Sequence, residues 1–193
     1  MKDKAVFLDR DGTINFDPGY LGDPKKIILF PDTGDVLSIF KKYNFKLIVI
    51  SNQSGVARGY ITEKDVLAVN EEINMQLSKF DVSIDAFYFC PFHPDFNNEE
   101  DCNCRKPSPQ MIITASKNHN IDLAKSYLIG DSVADIEAGI NSGVKAILVK
   151  TGYGSDSISI LQKENKFPNF VAENLTEACK FIIHDSCGET ISV

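Results

Sequence analysis

The sequence predicts an α/β fold, a parallel sheet covered by helices on both faces. Short apolar runs rich in β-branched and aromatic residues recur along the chain, and segments of helical period lie between them. The length of 193 residues and an apolar fraction of 43% suit one domain with a full core, spanning residues 1–193.

The elements follow in order. Residues 5–9, "AVFLD", read as a first buried strand, and a helical pattern covers 33–43. Residues 46–51, "KLIVIS", form a second strand. The next helix opens at Thr62, an N-cap with Asp65 three residues on, and carries Val66, Val69, Ile73, Leu77 and Phe80 on one stripe. A third strand is expected at 84–89, then a helix from Ser108 with Pro109 at its first position. Strands at 126–130 and 145–149 flank a helix at 133–141, which Gly143 ends. A final helix is expected at 175–183. Strands alternating with helices imply right-handed crossovers, and ligands then bind at the carboxyl ends of the strands.

Charge and composition narrow the function. A formal net charge of −7 argues against a nucleic-acid partner held by bulk charge. No apolar run is long enough for a membrane span. The opening "MKDKAVFLDRDG" reaches acidic groups too soon for a secretory signal, so a cytoplasmic protein is expected.

The strand tips carry the chemistry. The first strand ends at Asp9, with Asp11 two residues on; the second ends at Ser51 and Asn52; the fourth ends at Asp131, with Asp135 one turn later. An aspartate after a strand is often only the N-cap of the next helix. Carboxylates converging from separate strands, however, repel one another unless a cation lies between them. Asp9, Asp131 and a backbone carbonyl near Asp11 form a hard oxygen set suited to Mg²⁺.

Four stretches, "FLDRDGT", "VISNQSG", the lysine of "CRKP" and "LIGDSVAD", resemble in order the motifs of the haloacid dehalogenase superfamily. The resemblance implies a Rossmann-like sheet and a phosphatase. It makes Asp9 the nucleophile, Asp11 the general acid and base, Ser51 and Asn52 the phosphoryl-binding pair, and Lys106 the neutralising cation. Asp9, Asp11 and Asp131 are then the magnesium residues, and Asp135 stands behind them. Between Asp11 and Ser51 there is room for a helix and a loop but not for a cap domain.

Residues 90–107 form a separate loop. Cys90 and His93 are spaced C-x-x-H, and Cys102 and Cys104 are spaced C-x-C. Three thiolates and an imidazole would close a structural zinc site; the alternative is a loop without metal. The loop resembles the zinc loop of a capless branch of the superfamily, the histidinol-phosphatase and heptose-bisphosphate phosphatase group. Phe92 stands where that group's ligand histidine falls, and His93 follows it.

Within that branch, "INFDPGY" and "SNQSGVARGY" resemble the members acting on heptose bisphosphates. The resemblance implies that Asp17, Tyr20, Arg58 and Arg105 meet the sugar and its second phosphate, where arginine offers a planar bidentate fork. The expected partner is a small sugar bisphosphate, with a monomeric enzyme. The alternatives are a histidinol-phosphate phosphatase, a nucleic-acid 3′-end phosphatase and a non-catalytic zinc-loop binding module.

Overall fold

A computed structural model describes residues 2–191. Six parallel strands, β1 (Lys4–Leu8), β2 (Phe45–Asn52), β3 (Ala86–Cys90), β4 (Tyr127–Gly130), β5 (Lys145–Val149) and β6 (Phe170–Ala172), form one sheet in the order β3-β2-β1-β4-β5-β6. The helices are α1 (Thr33–Lys42), α2 (Glu63–Leu77), α3 (Gln110–Asn118), α4 (Val133–Ser142), α5 (Gly154–Lys163) and α6 (Leu175–Cys187).

The alternation of side chains along the strands builds a core on each face. Val6 and Leu8 of β1 and Leu47 and Val49 of β2 pack with Val36 and Phe40 of α1, Val69 and Ile73 of α2, and Ile182 and Ile183 of α6. Ala5, Phe7, Ile48 and Ile50 point the other way, onto Met111, Ile112 and Ala115 of α3. Ile136 of α4 and Leu161 of α5 cover Ala146 and Leu148 on that same kind of apolar face. The central strands β1, β2, β4 and β5 are buried on both sides, which is why they read as continuous apolar runs.

The strand order reverses between β1 and β4, the place where open α/β sheets bind ligands. The loops leaving β1, β2, β4 and β5 meet there. No further domain is inserted after β1 or β2 among the described residues; the β1–α1 connection carries one short 3-10 turn, Pro24–Lys26. No described helix is long and apolar enough to cross a membrane.

Two details depart from expectation. The helix expected from Ser108 begins at Gln110, with Pro109 as its N-cap. The chain also holds α5 and the edge strand β6, which the periodicity did not announce.

Candidate active site

Asp9 continues the β1–β4 ladder by donating its backbone N–H to the Ile129 carbonyl at 2.9 Å. Its side chain therefore leaves the sheet at the reversal point. Asp131 follows β4, and Asp135 lies in the first turn of α4, where it completes a reciprocal capping box with Ser132. Ligand oxygens of Asp9, Asp131 and Asp135 lie within 4.8 Å of one another. All three residues are buried.

Lys106 enters this cluster from the loop before α3. Its ammonium is 2.7 Å from Asp9 Oδ1 and 2.6 Å from Asp135 Oδ1, and it donates to the Ile50 carbonyl at 2.9 Å. Burial alone would lower the lysine's pKa, but Asp135 and Asp9 together raise it above its ordinary value. One fixed cation faces three buried carboxylates, so negative charge is left over. Burial pushes the Asp9 carboxyl well above its ordinary value against the opposing pull of Lys106. Burial and then Asp135 raise Asp131 to about 7. A divalent cation bound by hard oxygens would remove that excess, so the donor set fits magnesium.

Two glycines let the loops close on Asp131. Gly12 has φ +85°, and a Cβ there would stand 2.2 Å from Asp131 Oδ2; Gly152 has φ +54°, with the corresponding approach at 2.0 Å. The Tyr153 N–H then reaches Asp131 Oδ2 at 2.8 Å, and the Thr151 hydroxyl donates to the Gly12 carbonyl at 2.6 Å.

Asp11 stands apart from the metal-type cluster. Its Oδ2 accepts from Arg10 Nε at 3.1 Å, Arg10 NH2 at 2.9 Å and Gln53 Nε2 at 2.9 Å, while Oδ1 accepts from Asn15 Nδ2 at 2.9 Å. The side chain of Asp11 is thus directed to its own partners, not to the triad of carboxylates. Gln53 also donates to Ser51 Oγ at 2.8 Å.

The Asn52 side chain brackets the Lys106 backbone. Its Nδ2 donates to the Lys106 carbonyl at 3.0 Å, and its Oδ1 accepts the Lys106 N–H at 3.0 Å. These bonds tie the tip of β2 to the segment that carries the lysine.

Asp9, Asp11, Ser51, Asn52, Lys106 and Asp131 line a cleft of about 490 Å³, which also takes in Asp17, Tyr20, Arg105 and Tyr153. Burial raises the Asp17 carboxyl above its ordinary value, opposed by the Gly19 N–H it accepts at 2.8 Å. The Tyr20 ring lies 4.7 Å from that of Tyr60, tilted by 47°. Arg105 anchors one guanidinium nitrogen on the Phe92 carbonyl at 3.3 Å. Arg58 does not line this cleft. Its guanidinium lies 5.1 Å over the Phe96 ring, with NH2 3.3 Å from His93 Nε2 and 3.7 Å from Asp95. It braces the 90–107 loop from outside.

That loop differs from its expectation. The Cys90 and Cys104 sulfurs are bonded to each other at 2.08 Å, and Cys102 is a free thiol. His93 faces Arg58 and accepts the Asp95 N–H on Nδ1 at 3.2 Å. The reason lies in Phe92, which packs with Cys90 and Cys104 against the core. Phe92 takes the inward side, and its neighbour His93 is turned to the Arg58 side. With two sulfurs spent on each other and the imidazole elsewhere, the four donors do not fit a zinc ion. Asp9, Asp131 and Asp135 are the sole metal-type cluster among the described residues.

Arg10, Asn15, Gln53 and Tyr153 were not singled out from the sequence. Gln53 had a signal, since it lies two residues beyond Ser51 and so on the same side of an extended strand. Tyr153 follows the tip of a strand that carries no acid, and Arg10 is masked by the two aspartates around it.

The HAD-hydrolase-like family model matches residues 103–178. The chain is 42% identical over 152 residues to the D-glycero-beta-D-manno-heptose-1,7-bisphosphate 7-phosphatase of Haemophilus influenzae, covering 77% of this chain and 83% of that one. It is 37% identical over 184 residues to the D-glycero-D-manno-heptose-1,7-bisphosphate 7-phosphatase of Chlorobaculum tepidum, covering 91% and 92%. The fold superposes with a TM-score of 0.83 on D,D-heptose 1,7-bisphosphate phosphatase from B. bronchiseptica, solved with magnesium and phosphate, at 27% identity over 94% of this chain and 99% of that one. Likeness of this extent makes the chain a member of the haloacid dehalogenase superfamily, in the family of the heptose-1,7-bisphosphate 7-phosphatases.

Proposed function

We propose that the protein is a Mg²⁺-dependent phosphatase that removes the 7-phosphate of D-glycero-D-manno-heptose 1,7-bisphosphate through a phosphoaspartate on Asp9. The observation that carries this reading is the contact of Lys106 with Asp9 Oδ1 at 2.7 Å, in a cleft shared with Ser51 and Asp131. Lys106 engages one carboxylate oxygen of Asp9 and leaves Oδ2 as the nucleophile. Attack on phosphorus forms the Asp9–phosphoryl bond and breaks the bond to the sugar oxygen. The Ser51 hydroxyl accepts from Gln53, so its own proton is available to a phosphoryl oxygen. Lys106 meets the charge on the transferring group. Asp11 gives the leaving alkoxide a proton and then takes one from the water that releases phosphate.

Magnesium held by Asp9, Asp131 and the Asp11 backbone would supply charge neutralisation on the phosphoryl oxygens. Asp135 supports Lys106. Arg105 is the cation not needed by the chemistry, and we assign it to the second phosphate; Asp17 and Tyr20 are the sugar contacts. The reading contains no zinc. It places the enzyme in the cytoplasm as a monomer.

The test is phosphate release with Mg²⁺ from the heptose 1,7-bisphosphate, the matching 7-phosphate and histidinol phosphate. The bisphosphate is expected to have the highest specificity constant. Preference for histidinol phosphate, or release independent of Mg²⁺, overturns the proposal.

A further inference from the structure

Arg10 is a guanidinium sealed inside the protein. It is 1% exposed, it does not line the cleft, and it lies between the two catalytic aspartates in sequence. Removing such a cation from water costs several kcal/mol unless its hydrogen bonds are replaced. Two of its N–H groups converge on Asp11 Oδ2, at 3.1 Å from Nε and 2.9 Å from NH2. The third contact runs from NH1 to Asn70 Oδ1, at 3.1 Å, on α2 sixty positions away.

Asn70 is itself out of character. It occupies the buried stripe of α2 between Val66, Val69 and Ile73, where an apolar side chain would pack without cost. Its carbonyl oxygen accepts the Arg10 N–H in that setting. The Arg10 backbone adds to the same end, because its carbonyl accepts from the N–H groups of Thr13, Ile14 and Asn15 at 3.3, 3.0 and 3.3 Å. That turn delivers Asn15, whose amide holds the other oxygen of Asp11 at 2.9 Å.

We infer that Arg10 is a positioning residue for proton transfer, and that Asn70 holds it there. The pair extends from helix α2 to the carboxyl of Asp11 and sets where that carboxyl stands relative to the leaving oxygen. The side-chain bonds of the pair end on the Asp11 carboxyl and none reaches Asp9 or Lys106, so its effect falls on the proton and not on the nucleophile. The inference rests on Asp11 as the proton donor of the proposed reaction.

Leaving groups separate a positioning role from a merely structural one. A sugar alkoxide needs a proton as it leaves, whereas p-nitrophenolate leaves without one. The experiment measures single-turnover release of the alcohol from heptose 1,7-bisphosphate and from p-nitrophenyl phosphate, with the Mg²⁺-loaded enzyme at one pH. The readout is the ratio of the two rates. Asn70→Ala and Arg10→Lys should each lower the sugar-to-nitrophenyl ratio by at least about tenfold, within the range of acid catalysis. Asp11→Asn should lower it further. If Arg10→Lys does not fold, Asn70→Ala carries the test alone. A ratio that falls in Asp11→Asn but stays near wild type in Asn70→Ala overturns the inference and leaves the reaction intact. A ratio unmoved by Asp11→Asn overturns the acid assignment, and the inference with it.

Discussion

Asp131→Asn should make the metal-free protein more stable and the enzyme inactive. Asp131 is 2% exposed, and burial followed by repulsion from Asp135 raises its carboxyl from 3.8 to about 7. In the unfolded chain the same group ionises near 3.8. The folded metal-free state therefore holds a proton that the unfolded state has lost between pH 4 and about 7. Stability falls as pH rises through that window, and the full penalty is present above it. The displacement corresponds to roughly 4 kcal/mol as an upper bound, and about 2 kcal/mol after allowance for relaxation. Asparagine carries no charge and can still accept the Tyr153 N–H. Asp131 also raises the Asp9 carboxyl, so removing its charge relieves Asp9 in the same direction. The assay is thermal unfolding in chelator at pH 8 and pH 5. At roughly 2–4 °C per kcal/mol for a chain of this size, the variant should melt about 5–15 °C above wild type at pH 8. The gap should shrink at pH 5, where wild-type Asp131 is protonated. Added Mg²⁺ should raise the wild-type melting temperature and leave the variant unmoved. A variant that melts at or below wild type in chelator at pH 8 refutes the reasoning.

Two further outcomes follow from the site. Asn52→Ala removes both bonds that bracket the Lys106 backbone; turnover should fall by about a hundredfold, the scale of a catalytic group displaced by 1 Å, with KM changed little. Turnover within twofold of wild type, measured by steady-state phosphate release, contradicts that role. Arg105→Ala should lower the specificity constant for the bisphosphate by roughly 1.5–3 kcal/mol, the range of a charged hydrogen bond, and leave the constant for the 7-phosphate alone nearly unchanged. Equal losses on both substrates would remove Arg105 from the second phosphate.

Much of this fold was legible because its signals are local. The cap expected at Thr62–Asp65 is formed reciprocally, and Gly143 ends α4 with φ +80°. The five strands with strong apolar runs fall within about two residues of their expected ends. β6 was missed because it spans three residues at the sheet edge, where Val171 faces solvent. α5 was missed because its buried residues are Gly154, Ser157 and Leu161, a stripe with one large apolar side chain. The strand-tip acids were legible because an aspartate ending a buried run is conspicuous. The Arg10–Asn70 contact behind Asp11 was not, since it spans sixty residues and has no local trace. The expected zinc donor set is not assembled in the structure, where Cys90 is bonded to Cys104 and His93 faces Arg58. Ligand spacing counts donors, but it does not show that Phe92 takes the inward position and turns His93 away.

The central claim is that phosphate passes through a covalent bond to Asp9. The stereochemical course at phosphorus tests it most directly, using a sugar phosphate made chiral at phosphorus with oxygen isotopes and hydrolysed in labelled water. Two in-line displacements, first by Asp9 and then by water, each invert the centre. The account predicts net retention of configuration in the released phosphate. Net inversion would mean that water attacks the substrate directly, and would contradict it.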